Sequence, residues 1–265
     1  MATTSTSWTE EIVEAAGIKL QLVKGGTGRP LLILHDELGH PGALRYQAAL
    51  AQHYTLYMPS HPSCGQSERL DWMMNMRDLA SWYLDALGDL GLTQVPVLGF
   101  SLGGWLAAEM ATMCPQQFSH LVLVGAMGVR PAVGEIYDMF LVVTKDYLAA
   151  SFADAAGTPE YQQLFGNLTP EQVDVTEAGR ELASLVGWRP YMHYPQLPHL
   201  LRRVRTVPTL LVWGRQDTIV PLSAGEVYQQ AIPGSRLAVL EHCGHRPEIE
   251  QADEFVRLVR DFVKD

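Results

Sequence analysis

The sequence has few cysteines, a shortage of positive charge and no long hydrophobic run. Its three cysteines, Cys64, Cys114 and Cys243, are odd in number and widely spaced. This argues against a disulfide framework and favours a reducing compartment. There are 19 basic residues against 29 acidic ones, which gives a net charge of -10. The excess of negative charge disfavours nucleic acid and anionic membrane surfaces as partners.

The N-terminal ten residues lack the basic and apolar regions of a secretory signal. No apolar run approaches the ~20 residues that a membrane-spanning helix needs. We therefore expect a cytoplasmic protein without membrane association, either a monomer or a homodimer. With 265 residues, 47% of them hydrophobic, the chain can bury a large core, and α/β folds of this length often form one unit.

Short apolar segments alternate with longer amphipathic ones along the chain. Each short segment is bounded by glycine, proline or polar residues, which predicts a buried strand. The predicted strands cover residues 30–36, 95–101, 121–126, 208–214 and 236–242. Amphipathic patterns between them, such as residues 78–90, predict helices. Strands that alternate with helices indicate a parallel sheet in an α/β fold.

The alternation is interrupted between residues 127 and 206, where the sequence is mostly helix-like and rich in tyrosine, phenylalanine, methionine and proline. Two helix starts in it, GTPE and LTPEQ, carry proline at the first turn. We therefore divide the chain into a core domain, residues 1–126 and 207–265, and a helical cap, residues 127–206. Aromatic residues in such a segment are individually more often core. As a group, however, Phe140, Trp188 and Tyr191 are predicted to line an apolar substrate pocket.

The stretch VLGFSLGGWLAAEMA places Ser101 between a predicted strand and a predicted helix, with Gly99 and Gly103 on either side. In an open α/β sheet, ligands bind beyond the carboxyl ends of the strands. A sharp strand-to-helix turn exposes the serine hydroxyl and requires small neighbours. The pattern G-x-S-x-G occurs by chance in roughly one chain of this size in ten, but its strand and helix context is far more specific. Ser101 is therefore the candidate nucleophile.

A serine hydroxyl needs a base, and that base needs an acid to orient it. Asp217 follows the predicted strand that ends near Trp213, and His245 follows the one that ends near Glu241. The chain order serine, aspartate, histidine is that of the α/β-hydrolase triad. The sequence predicts His245 as the base and Asp217 as the orienting acid. An ordinary turn residue is the alternative for Asp217.

Three motifs resemble those of the α/β-hydrolase superfamily: the elbow GFSLGG, the acid turn GRQD-x-x-VP and the histidine turn GH-x-P-x-x-E. The resemblance extends over nearly the whole chain and is strongest to capped esterases, lactonases and C–C hydrolases. It implies a mostly parallel central sheet flanked by helices, with the cap inserted after the sixth strand. It also implies a reaction without an organic or metal cofactor. His242 and His245 are spaced as two metal ligands on a helix could be. They lie in a predicted turn, however, which does not favour a metal site.

The loop that forms the oxyanion hole departs from the family pattern. His-Gly-x-x-Gly is usual, whereas residues 35–39 read HDELG, with Asp36 in place of the glycine. By resemblance, the backbone N–H groups of Glu37 and Leu102 would bind the oxyanion. Two carboxylates near a developing negative charge would oppose it unless they are paired or turned away. Either Asp36 hydrogen-bonds nearby backbone N–H groups, or it lines the substrate pocket and selects neutral substrates.

The triad and the resemblance together imply a serine carboxylic ester hydrolase. Its expected substrates are small to medium apolar esters or lactones, such as acyl-homoserine lactones or pyrethroid-type esters. A C–C hydrolase of ring-cleavage keto-acids is one alternative, with Arg130 and Arg189 as candidate carboxylate-binding residues. A ligand receptor without catalysis is another. Turnover of p-nitrophenyl butyrate would separate the ester hydrolase from the receptor.

Overall fold

A computed structural model describes residues 7–40 and 44–264 of the chain. Its central feature is one sheet of eight strands in the order β1-β2-β4-β3-β5-β6-β7-β8. Strands β3 to β8 run parallel, and β2 is antiparallel to both of its neighbours. The strands are β1 (Trp8–Ala15), β2 (Ile18–Gly26), β3 (Arg29–Leu34), β4 (Tyr54–Pro59), β5 (Val95–Phe100), β6 (Phe118–Val124), β7 (Thr209–Gly214) and β8 (Arg236–Leu240).

Helices flank this sheet, and short 3₁₀ turns occur at Pro115–Gln117 and Leu201–Thr206. The helices are α1 (Arg45–Leu50), α2 (Met76–Asp89), α3 (Ser101–Met113), α4 (Thr144–Ala150), α5 (Pro159–Phe165), α6 (Pro170–Gly187), α7 (Leu197–Leu200), α8 (Leu222–Ala231), α9 (Pro247–Glu250) and α10 (Ala252–Phe262). The predicted α/β fold with a mostly parallel sheet is confirmed. Within the described ranges, none of these helices is long and apolar enough to cross a membrane.

The hydrophobic core lies along the central strands. All six residues of β5 and all six of β7 are buried, as are the last four of β3. Near-continuous apolar strands of this kind are typical of parallel sheets that are covered on both faces. Because these strands are parallel, the loops after β3, β5, β7 and β8 emerge at the same edge of the sheet.

Helices α4 to α7 all lie between β6 and β7, so the helical insertion predicted after the sixth strand is confirmed. The insertion contacts two of the loops at the carboxyl edge. A Cβ built on Gly179 of α6 would lie 2.3 Å from the carbonyl oxygen of Glu37. The N–H of His245 donates to the carbonyl oxygen of Ser151, just after α4, at 2.7 Å. The cap therefore covers this edge, while the exact division at residues 126 and 207 stays a prediction.

Candidate active site

Ser101 is the first residue of α3 and directly follows β5. Its φ of 47° lies in the left-handed region that non-glycine residues rarely adopt, so the turn holds the serine in a strained conformation. A Cβ on Gly99 would lie 2.5 Å from the Gly103 carbonyl oxygen, and one on Gly103 would lie 2.3 Å from that of Leu34. Both glycines are therefore required for the close approach of strand and helix, and the turn presents Ser101 at the carboxyl edge.

Asp217 and His245 are in direct contact at the same edge. Nδ1 of His245 lies 2.8 Å from Oδ2 of Asp217, while Oδ1 of Asp217 accepts hydrogen bonds from the N–H groups of Ile219 and Val220, each at 2.9 Å. The aspartate is thus fixed by its own turn and orients the imidazole. In the described part of the chain, Ser101 Oγ and His245 Nε2 are buried and neither makes a hydrogen bond of normal geometry. The predicted hydrogen bond between the serine hydroxyl and the imidazole is therefore not formed in this structure, and the contact between the two groups stays a prediction.

The surroundings of His245 favour its protonated form. Burial alone would lower the pKa of this histidine, but the charge and the hydrogen bond of Asp217 outweigh burial and raise it above its usual value. The negative charge of Glu37 acts in the same direction. An imidazole that is stabilised as its cation is well suited to hold a proton during a reaction.

The side chain of Glu37 occupies the expected oxyanion hole. The N–H of Leu102 donates to Oε2 of Glu37 at 3.5 Å, and the Tyr147 hydroxyl donates to Oε1 at 2.6 Å. Glu37 is fully buried. Burial would raise its pKa, but the charges of His245 and Arg246 outweigh burial and lower it. The sequence predicted that the Glu37 N–H would bind the oxyanion and that its carboxylate would be paired or turned away. The structure instead places the carboxylate at the Leu102 N–H, and the role of the Glu37 N–H stays a prediction.

Asp36 is paired in the structure. Its carboxylate forms an ion pair with Arg246 and accepts a hydrogen bond from the Leu38 N–H at 2.7 Å. Arg246 also lies 3.7 Å from Glu248, and burial raises the pKa of Glu248 to about 7. These contacts agree with the hydrogen-bonded loop residue and add a cation that the sequence analysis had not identified. Asp36 also lines a cavity, so its role in selecting substrates stays a prediction.

A cavity of about 270 Å³ lies between the loop after β3 and helices α5 and α6. Apolar side chains form much of its wall, and the Asp36–Arg246 pair lies at its border. Its lining includes Leu38, Phe165, Leu168, Val175, Asp36 and Arg246. The cavity lies beside the loop that carries Glu37, but neither Ser101 nor His245 lines it. Its apolar wall is suited to an apolar group of a ligand.

Phe140, Trp188 and Tyr191 form an aromatic cluster within the cap. The ring of Phe140 lies 5.2 Å from that of Trp188 and 6.0 Å from that of Tyr191. The Tyr191 hydroxyl accepts from the Met139 N–H and donates to the Tyr137 carbonyl oxygen, both at 2.9 Å. These bonds tie Tyr191 to the backbone just before Phe140. The cavity beside Asp36 is lined by other residues. Their contact with a substrate stays a prediction.

Sequence reasoning missed Tyr147 and Arg246. Tyr147 lies in the cap, and nothing in its local sequence links it to a loop 110 residues away. Arg246 could have been identified from the sequence. It directly follows His245 and has the positive charge that the acidic HDELG loop requires. Within residues 7–40 and 44–264, no group of three histidine, cysteine, aspartate or glutamate residues is arranged to hold a metal ion.

The fold and this site define a hydrolase built on a mostly parallel α/β sheet. Residues 31–258 match the alpha/beta hydrolase family, and the chain belongs to that family. The 2-hydroxymuconate semialdehyde hydrolase of Pseudomonas putida is 28% identical over 279 residues, which cover 94% of this chain and 92% of that protein.

Two solved structures show the same fold. A meta-cleavage product hydrolase from Pseudomonas fluorescens is 22% identical with a TM-score of 0.79, over 95% of this chain and 96% of that one. An esterase from Exiguobacterium antarcticum is 24% identical with a TM-score of 0.77, over 97% of this chain and 100% of that one. Relatives and structural neighbours thus include both meta-cleavage hydrolases and esterases.

Proposed function

We propose that the protein is a serine hydrolase that cleaves carboxylic esters or lactones with small to medium apolar groups. One observation carries the proposal: a strained serine at a strand-to-helix turn shares the carboxyl edge of the sheet with a hydrogen-bonded Asp217–His245 pair. A nucleophile, a base and an orienting acid in this order are the parts that acyl transfer requires. No cofactor is needed for this chemistry.

In the proposed reaction, His245 accepts the proton of Ser101 while Oγ attacks the carbonyl carbon. The Leu102 N–H lies at the start of α3, where it can stabilise the negative charge that develops on the carbonyl oxygen. His245 then gives its proton to the leaving oxygen, and an acyl-enzyme remains on Ser101. A water molecule activated by His245 releases the acid, and Asp217 orients the imidazole throughout.

The charges around Ser101 favour the binding of neutral substrates over anionic ones. Glu37 and Asp217 are both buried carboxylates, and the guanidinium of Arg246 is already engaged by Asp36 and Glu248. A substrate carboxylate would therefore be buried next to anions whose compensating cation is occupied, which is costly. This argument favours apolar esters and lactones over the anionic keto-acids of meta-cleavage chemistry.

The proposal is tested with three substrates: p-nitrophenyl butyrate, the p-nitrophenyl monoester of succinate, and a 2-hydroxy-6-oxo-dienoate. We expect turnover of the butyrate, a kcat/KM at least about tenfold lower for the succinate monoester because of like-charge repulsion, and no cleavage of the dienoate. Cleavage of the dienoate without turnover of either ester would instead favour the C–C hydrolase. Binding without turnover of any of the three would favour the receptor.

The cavity beside the oxyanion loop predicts the preference for acyl-chain length. Val175 of α6 lines this cavity, so Val175→Phe is expected to lower kcat/KM for p-nitrophenyl octanoate at least about tenfold more than for the acetate. Val173 lies on the same helix and is 41% exposed, which makes Val173→Phe the matched control. Equal losses on both esters in Val175→Phe would show that the chain does not enter this cavity.

A further inference from the structure

The candidate active site is closed in the structure. Ser101 and His245 are only 2% and 4% exposed, Leu102 is 1% exposed, and Glu37 is wholly buried. Almost no solvent reaches these side chains. Some group therefore has to move before an ester carbonyl can meet the Ser101 hydroxyl.

The Glu37 carboxylate takes the position in which a substrate oxygen is expected to bind. Its Oε2 accepts a hydrogen bond from the Leu102 N–H at 3.5 Å, and this N–H is the donor that the proposed reaction requires. The carboxylate and a carbonyl oxygen cannot both lie at this position. Occupation of the oxyanion hole by Glu37 and binding of a substrate carbonyl there are therefore mutually exclusive.

The charges around Glu37 stabilise its ionised form at this position. The positive charges of His245 and Arg246 outweigh burial and lower the pKa of the carboxyl group. The Leu102 N–H belongs to the first turn of α3, and an anion is favoured at the N-terminus of a helix. An oxyanion hole is built to stabilise negative charge on oxygen. The Glu37 carboxylate thus satisfies the hole in the way that a bound ligand would.

The two hydrogen bonds of the carboxylate differ in length and in origin. The bond from Leu102, in the core domain, is long at 3.5 Å, whereas the Tyr147 hydroxyl of α4 donates to Oε1 at 2.6 Å. The cap also packs against the backbone of this loop, since a Cβ on Gly179 would lie 2.3 Å from the Glu37 carbonyl oxygen. The cap therefore holds the carboxylate more closely than the core does.

We propose that Glu37 is an intramolecular inhibitor, whose carboxylate fills the oxyanion hole of the closed form, is held there by Tyr147, and is displaced by substrate. The inference rests on the ester hydrolysis proposed above and concerns the regulation of that site. Rotation about the side-chain bonds of Glu37 removes the carboxylate, while the loop backbone stays against α6. The Leu102 N–H then becomes available to the substrate oxygen.

An internal competitor has a defined kinetic signature. It lowers the fraction of the protein that can bind substrate, and the apparent dissociation constant rises by the inverse of that fraction. Once substrate is bound, the carboxylate is out of the hole and does not slow the chemical steps. Glu37 should therefore raise KM and leave kcat nearly unchanged. Removal of a group that acts in the transition state would instead lower kcat.

Glu37→Ala is the direct test, with p-nitrophenyl butyrate as the substrate. We expect KM to fall at least about fivefold, because the competent fraction rises, and kcat to change by less than about twofold. Tyr147→Phe keeps the carboxylate but removes the shorter of its two hydrogen bonds, so KM should fall at least about twofold in this variant as well. Tyr147→Phe gives an independent answer if Glu37→Ala does not fold.

Acetate provides a measurement that a merely structural role of Glu37 would not change. Removal of the side chain leaves room beside Leu102 and Tyr147 for a free carboxylate of similar size. Acetate should therefore inhibit Glu37→Ala competitively, with half-inhibition at about 10 mM or below. It should inhibit the unmodified protein at least about tenfold more weakly, because the tethered carboxylate already fills the hole. Sodium chloride at equal ionic strength controls for screening.

Glu177→Ala is the matched control. Glu177 lies on α6, its side chain is 60% exposed, and its carboxylate accepts a hydrogen bond from the Thr144 hydroxyl at 3.1 Å. The variant therefore removes a carboxylate contact within the cap and leaves the oxyanion hole unaltered. KM, kcat and the sensitivity to acetate should all stay unchanged.

Several outcomes would overturn this inference and leave the proposed function intact. They are ester turnover with a kcat at least about tenfold lower in Glu37→Ala, an unchanged KM in both Glu37→Ala and Tyr147→Phe, and equal acetate inhibition of Glu37→Ala and the unmodified protein. Ester turnover that appears only in Glu37→Ala would support both proposals. Absence of turnover in both proteins would contradict the proposed function, and this inference with it.

Discussion

Replacing Ser101 with alanine is expected to lower the kcat for p-nitrophenyl butyrate by about 10³-fold or more, because the nucleophile is removed. His245→Ala should have a similar effect, since the hydroxyl then has no base. The double variant should lose little more than either single one, because residues that act as a unit are not additive. The kcat values are compared from initial rates of the purified proteins, and equal far-UV circular dichroism spectra show that the variants are folded.

Ser235→Ala serves as the matched control, because Ser235 lies in the turn after α8 and its hydroxyl donates to the backbone carbonyl oxygens of Gln229 and Ile232. This variant should retain full activity. An ester-like phosphonate provides a second measurement, since it should add covalently to Ser101 and to no other serine. Substantial turnover by Ser101→Ala, or labelling elsewhere, would show that the strained turn is not the catalytic centre.

The central strands were predictable because strands buried on both faces consist of short apolar runs, which are visible in the sequence. Parallel strands such as β5 and β7 are buried throughout and almost entirely apolar, and turn residues bound them. Strands β1, β2 and β4 were not identified. β1 is mostly exposed and reads WTEEIVEA, so it has no continuous apolar signal, and its pairing with β2 depends on an antiparallel register that composition does not reveal.

The residues predicted for the triad follow from local patterns. Ser101 directly follows β5, and Asp217 and His245 lie in the turns after β7 and β8. The topology of a parallel sheet then places all three at one edge. The position of the Glu37 carboxylate could not be predicted in this way. Its position depends on Tyr147 and on the docking of α6, which are tertiary contacts between segments far apart in the sequence.

The ion pair of Arg246 gives the largest expected effect on stability. Arg246 and Asp36 are both almost fully buried, with Glu37 and Glu248 beside them. Arg246→Met keeps most of the side-chain volume but leaves these carboxylates without their cation. Removing one partner of a buried ion pair typically costs about 3–5 kcal/mol. We expect the free energy of unfolding to fall by that amount in urea denaturation at neutral pH.

Arg215→Met is the control, because Arg215 forms a 2.7 Å ion pair with Glu241 in which both side chains are at least half exposed. Exposed pairs of this kind contribute about 0–1 kcal/mol. Adding Asp36→Asn to Arg246→Met should restore part of the lost stability, since it removes one of the stranded charges.

Urea denaturation at acidic pH provides an independent test of the same ion pair. Burial already raises the pKa values of Asp36 and Glu248, and the charge of Arg246 lowers them. Without Arg246 these pKa values rise further above their unfolded ones, so the variant takes up more protons on folding as the pH falls. The deficit of Arg246→Met relative to the unmodified protein should therefore shrink toward about pH 5. A deficit equal to that of Arg215→Met, or one that does not change with pH, would mean that Arg246 does not neutralise this cluster. In that case the loop that carries Glu37 would be held in place by its other contacts, among them Tyr147 and α6.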